Sequence, residues 1–130
     1  MKAKAGDVLP PRETKVRAEA MPAWAAALRD PNPIHLDPEA VRAAGLGDRV
    51  INQGPANIGY MLNGLAAALP GSRLVEFEVR FLETVRGGDR VTAEGVIAEI
   101  EGPDALCRLV LRREDGIELL SGTARVTLAD

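Results

Sequence analysis

The residues best suited to acid–base chemistry lie in one short stretch, Asp30-Pro-Asn-Pro-Ile-His35. His35 is the single histidine of the chain. A neutral imidazole and a carboxylate held close can grip one water between them. One group then takes its proton while the other orients it or returns a proton. Pro31 and Pro33 restrict the loop between the two, which helps to hold such a geometry. Downstream, Gly54 opens a segment that reads as a helix. The first N–H groups of a helix lack partners within it and sit at the positive end of its dipole. If the loop comes near that end, Gly54 N–H can hydrogen-bond a carbonyl oxygen and stabilise charge building there during addition or elimination.

Each residue also has a plainer reading. Taken alone, Asp30 before Pro-Asn-Pro reads first as a turn former whose side chain caps local N–H groups. A lone histidine reads first as a hydrogen-bonded structural residue. Asp37 reads as a helix cap, and Asn52 and Gln53 as caps of the helix that follows. Cys107 reads as core, and the arginines at 73, 80, 86, 90, 112 and 113 as solvated strand and turn residues.

The element that must position this chemistry is Gly54–Leu69, apolar almost all the way round and without a charge. Pro55 suits the first helical turn, and Pro70-Gly71 stops the helix. With Asn57 and Asn63 as its only strongly polar side chains, this helix is expected to be buried by the rest of the chain. Gly59, Gly64 and Ala66–Ala68 should let neighbouring backbone come close. Ahead of it, Met21–Leu28 reads as a short helix with Trp24 as a core anchor. Pro38–Ala44 reads as another, capped by Asp37 and ended by Gly45.

Beyond residue 72 the period changes to two. Val75, Phe77, Val79 and Phe81 share one face of a strand, opposite Glu76, Glu78 and Arg80. Val91–Ile100 alternates with a slip, which places a β-bulge at Gly95. Ala105, Cys107, Leu109 and Leu111 face inward on a third strand. Asp115-Gly116 turns the chain. Leu120, Gly122, Ala124, Val126 and Leu128 line a fourth. Glu13–Ala18 reads as a fifth, after an irregular lead-in at 6–11. Antiparallel strands with one apolar face need a cover, and a curved sheet wrapped around the apolar helix provides it. The expected class is therefore α+β, a hotdog fold in a single domain over residues 1–130. Pairing the open sheet edges between two chains predicts a homodimer.

The bulk properties remove several functions. A net charge of −3 gives no general attraction to nucleic acid or anionic membrane. Aromatics at 3% leave few stacking platforms for bases. One cysteine excludes an internal disulfide and a cysteine-rich metal site, and fits a reducing compartment. No apolar run approaches the roughly 20 residues of a membrane span. No signal peptide is apparent, and a soluble cytoplasmic protein is expected.

Asp30-Pro-Asn-Pro-Ile-His35-Leu-Asp37-Pro, then Ala43-Ala-Gly-Leu-Gly-Asp-Arg-Val50 and Gly54, resembles the MaoC-like (R)-specific enoyl-CoA hydratases. Gly6-Asp7, Val79-Arg80-Phe81 and Gly88-Asp89 follow the same pattern, so the resemblance spans nearly the whole chain. It implies a single-hotdog hydratase adding water to a trans-2-enoyl thioester, with Asp30 and His35 catalytic and Gly54 N–H binding the thioester. Asn32, inside the motif, supports the loop. The substrate is a thioester of CoA or of an acyl carrier, and no cofactor or metal is expected. Gln53 stands where the family usually has a histidine. It keeps hydrogen-bonding ability but does not titrate near neutrality. Asn57 lies three residues beyond Gly54 on the same helical face, within reach of the same pocket.

Two other functions compete. A hotdog thioesterase commonly carries an acidic residue on the central helix, and Gly54–Leu69 has none. A partner subunit of a hetero-oligomeric hydratase fits the Gln53 departure, while the intact Asp30/His35 pair argues against it.

Overall fold

A computed structural model describes residues 2–130. The chain forms β1 (Val8–Lys15), α1 (Met21–Leu28), α2 (Pro38–Ala43), α3 (Gly54–Ala68), β2 (Arg73–Phe81), β3 (Arg90–Glu101), β4 (Asp104–Arg113) and β5 (Glu118–Thr127). The five strands make one antiparallel sheet in the order β1-β3-β4-β5-β2. Helix α3 lies against β1, β3 and β4. Its Met61 and Leu65 enter a core with Val91, Ile97, Cys107, Leu109, Leu111, Leu120 and Val126. This is the hotdog arrangement. Burial pushes the Cys107 thiol pKa up, as suits a core side chain. Among the described residues no helix is long and apolar enough to cross a membrane.

Several sequence expectations need correction. The first strand is Val8–Lys15 rather than Glu13–Ala18. Its register shifts between Leu9 and Arg12, around Pro10-Pro11. Proline lacks the ladder donor, and an edge strand with a bulge tolerates two of them. The bulge of β3 falls between Ile97 and Glu99, not at Gly95. Gly95 is small for another reason: a Cβ there would stand 2.8 Å from Leu109 and 3.0 Å from Leu9 side-chain atoms. Val75 leaves the inner face because the β2 register shifts between Leu74 and Glu76. Trp24 is only half-buried; Met21 and Ala25, one turn apart on α1, face inward instead. Gly64 does allow close approach, its missing Cβ lying 2.8 Å from that of Ala93, whereas Gly59 has open space around it.

Nor is α3 enclosed on all sides. Pro55, Asn63, Ala66 and Ala67 are exposed, and Ile58, Tyr60 and Leu62 are half-buried. One sheet covers one side of a helix, and the remaining apolar side stays open. The β2 edge is apolar as well: Val75 is 49% and Phe81 53% exposed.

Asp89 fixes the approach to α3. Its buried carboxylate accepts hydrogen bonds from Arg86 N and the Arg49 guanidinium, both at 2.9 Å. The Arg86 guanidinium donates in turn to the carbonyls of Arg49 and Leu46, and Gly87 N donates to Val50 O at 3.0 Å. Asp89→Ala orphans a part-buried N–H and a guanidinium. The expected cost is about 2 kcal/mol in urea unfolding; a change within error would show that the 46–50 loop holds without it.

Candidate active site

Helix α1 delivers Asp30. The helix closes on Arg29, whose φ of 52° is left-handed and whose N–H returns to Ala25 and Ala26 carbonyls. No other described non-glycine residue has a positive φ. That reversal lets Asp30 N donate to Ala25 O at 2.9 Å and turns its carboxylate toward the next loop. Asp30 Oδ1 then accepts from Asn32 N at 3.2 Å, and Asn32 Oδ1 from Ile34 N at 3.3 Å. These two Asx turns coil 33–35 into a single 3₁₀ turn and present His35. The turn-former reading of Asp30 thus holds for one oxygen and leaves the other free.

The free oxygen, Oδ2, stands 3.3 Å from His35 Nε2. The other ring nitrogen, Nδ1, lies 2.7 Å from Ile51 O. A carbonyl only accepts, so Nδ1 carries a hydrogen toward Ile51 O, and Nε2 is the ring nitrogen that faces Asp30. His35 is buried while the Asp30 side chain is 39% exposed. Water can therefore reach the pair from the carboxylate side. Ile51 is bound twice to this loop, since its N–H also donates to Ile34 O at 2.9 Å. It is three residues from Gly54, which keeps their Cα atoms within about 10 Å.

At Gly54 the helix begins with an unspent donor. Ala56 N and Asn57 N both go to Gln53 O, Pro55 has no N–H, and Gly54 N–H has no partner among the described residues. Gly54 lines a groove of about 360 Å³. Ile51, Asn52, Gly54 and Asn57 line one side of the groove; Phe81, Leu82, Glu83, Thr84 and Val85 line the other. A Cβ on Gly54 would touch the Phe81 ring at 3.4 Å, so the edge strand leans over the helix start. Asp30 and His35 are not in the groove wall; Ile51, whose carbonyl holds His35, is.

The remaining candidates separate. Asn57 faces the groove with Gly54. Asn32 is spent on its own loop. Gln53 is 1% exposed, and its Nε2 donates to Met21 O at 3.1 Å, tying the helix start to α1. Its Oε1 is enclosed without a partner. Two participants escaped sequence reasoning. Asn52 does not cap the helix; its Nδ2 donates to Asn57 Oδ1 at 2.7 Å and to Tyr60 Oη at 3.2 Å. Asn57 and Tyr60 lie three apart on one helix face, a spacing visible in the sequence. Ile51 acts through its carbonyl, which no side-chain pattern reveals.

A carboxylate–imidazole pair, on a loop tied through Ile51 to the segment that leads into α3, can move protons to and from a bound water. The chain belongs to the MaoC-like domain family, whose model matches residues 2–107. It is 36% identical over 89 residues to a mitochondrial 3-hydroxyacyl-[acyl-carrier-protein] dehydratase of Arabidopsis thaliana. That match covers 68% of this chain and 52% of the plant protein, so it spans about half of the relative's length. Among solved structures, an (R)-hydratase from A. caviae involved in PHA biosynthesis superposes with a TM-score of 0.90 at 27% identity, covering 98% of both chains. The ChsH1-ChsH2 complex from Mycobacterium tuberculosis gives a TM-score of 0.86 at 18% identity, over 99% of this chain and 100% of that one. The latter is a likeness of fold.

Proposed function

We propose that this protein adds water to trans-2-enoyl thioesters, or removes it from 3-hydroxyacyl thioesters, with (R) specificity. The observation that carries this reading is the 3.3 Å approach of Asp30 Oδ2 to His35 Nε2, with the ring oriented by Ile51 O. A water held by the pair adds its oxygen to C3 of the enoyl group. The pair accepts one proton of that water and returns one proton to C2; the two groups share that inventory as one unit. Between those steps negative charge gathers on the thioester oxygen, where Gly54 N–H offers a hydrogen bond at the positive end of α3. The sum is water plus alkene giving alcohol, with no redox step and no cofactor.

Asn32 supports the reading as the residue that shapes the His35 turn, and Gln53 as the tie between α1 and the start of α3. We place the reaction in the cytoplasm, which the lone, buried and free Cys107 supports. The apolar β2 edge and the open side of α3 support pairing with a second copy. The alternative occupant is a different hotdog chain, as in the ChsH1-ChsH2 complex.

The test is a panel of enoyl-CoA and enoyl-acyl-carrier thioesters, followed by loss of the conjugated-thioester absorbance and, in parallel, by free thiol release. Absorbance loss without thiol is expected. Fast thiol release with the double bond intact would replace the reading with a thioesterase, although α3 carries no acid. Activity appearing only with a second hotdog chain would make this protein a partner subunit.

A further inference from the structure

The groove holds a donor that the mechanism above leaves unused. Asn57 is 4% exposed. Its Oδ1 is engaged by Asn52 Nδ2 at 2.7 Å, and the same nitrogen is shared with Tyr60 Oη at 3.2 Å. Its own Nδ2 has no partner among the described residues. Gln53 Oε1 is the one fully enclosed side-chain polar atom left unpaired among them, so Asn57 Nδ2 is not sealed in. Asn57 lines the groove together with Gly54. An amide held this deep with two spare hydrogens is costly unless something accepts from it.

Helical side chains lean toward the N-terminus and cover the turn before their own Cα. Asn57 therefore hangs back over the first turn of α3, the turn from which Gly54 N–H points outward. One groove is thus lined by a residue with a spare backbone donor and a residue with a spare side-chain donor, and a carbonyl oxygen has two lone pairs.

We propose that Asn57 Nδ2 is a second donor to the thioester carbonyl oxygen. The oxyanion site of this chain is then Gly54 N–H together with the Asn57 amide; Asn52, its Nδ2 shared with Tyr60 Oη, is the positioning residue that holds Asn57 Oδ1 and leaves Nδ2 to the groove. This rests on the hydratase reading above. The bond to Asn57 is weak to the ground-state thioester and strengthens as the oxygen takes charge, so its loss falls on kcat more than on KM.

Asn57→Asp separates this role from a structural one. The aspartate keeps an oxygen for Asn52 Nδ2 in either protonation state. Only its protonated form has a hydrogen to give. Asn57→Leu removes donor and acceptor together. The other titratable groups near position 57 are Tyr60 on the same helix, Glu83 across the groove and the Asp30–His35 pair beyond Ile51. Wild type and both variants share them, so they cancel in the comparison.

The expected result is a kcat lower by about 10²-fold in Asn57→Leu, and in Asn57→Asp once its carboxyl has ionised. Asn57→Asp should recover activity as the pH falls and the carboxyl regains its proton, a rise absent from wild type and Asn57→Leu. Should Asn57→Leu not fold, the Asn57→Asp profile decides alone. Wild-type kcat and pH profile in Asn57→Asp would overturn the second donor, as would a loss confined to substrates with polar acyl groups. A wild-type protein that hydrates no enoyl thioester would overturn the reading beneath it as well, a distinct outcome.

Discussion

Asp30→Asn is expected to lower kcat for hydration by about 10³-fold while the protein stays folded. The substitution is isosteric, and the carboxamide oxygen can still accept from Asn32 N as Oδ1 does now at 3.2 Å. The loop therefore keeps its turn. What changes is the group 3.3 Å from His35 Nε2. An amide placed there faces Nε2, the ring nitrogen that Ile51 O does not engage. The pair loses its carboxylate, and with it a group able to take a proton from water. Stability should move little, since the Asp30 side chain is 39% exposed and such a pair contributes within about 1 kcal/mol. Unchanged kcat in this variant would remove Asp30 from the chemistry.

Gly122→Ala should have the largest effect on stability. Gly122 on β5 lies opposite Val79 on β2. A Cβ there would stand 2.4 Å from the carbonyl oxygen of Glu78 and 3.4 Å from Val79 Cα. The obstacle is backbone, so no rotamer change relieves it, and β2 must shift. As an edge strand it is held on one side only, by β5. A loss of about 3 kcal/mol is expected from urea unfolding. Because Phe81 on the same strand leans over Gly54, activity should fall with it. Stability within 0.5 kcal/mol of wild type, roughly the size of a neutral surface change, would show that β2 yields freely.

Much of this could be seen in the residues themselves. Four of the five strands, the turn at Asp115-Gly116 and all three helices follow from period and from proline and glycine placement. The misreadings have physical causes. Glycine serves both bulges and close approach, and the pattern around Gly95 does not say which; Leu9 and Leu109 closing over it do. Trp24 was assigned by type, yet an eight-residue helix turned inward through Met21 and Ala25 leaves position 24 at its flank. Pro10-Pro11 hid a strand because only an edge can accept them. The open side of α3 has no sequence signature at all, since the apolar pattern of a helix is the same whether one chain or two cover it.

The site divides in the same way. Asp30 and His35 were legible through the motif Asp30-Pro-Asn-Pro-Ile-His35, although each taken alone reads as structural. Ile51 was not, because it works through its carbonyl. The Asn52–Asn57–Tyr60 cluster was half legible: the helix spacing shows 57 and 60 together, but only the fold brings Asn52 back onto them.

The most direct test follows the oxygen of water. Wild-type protein is incubated with a trans-2-enoyl thioester in water labelled with heavy oxygen, and the products are read by mass spectrometry. Label on the C3 hydroxyl of an intact (R)-3-hydroxyacyl thioester, lost in Asp30→Asn, is the predicted result. Label in a free carboxylate, or the same C3 labelling with and without Asp30, would contradict it.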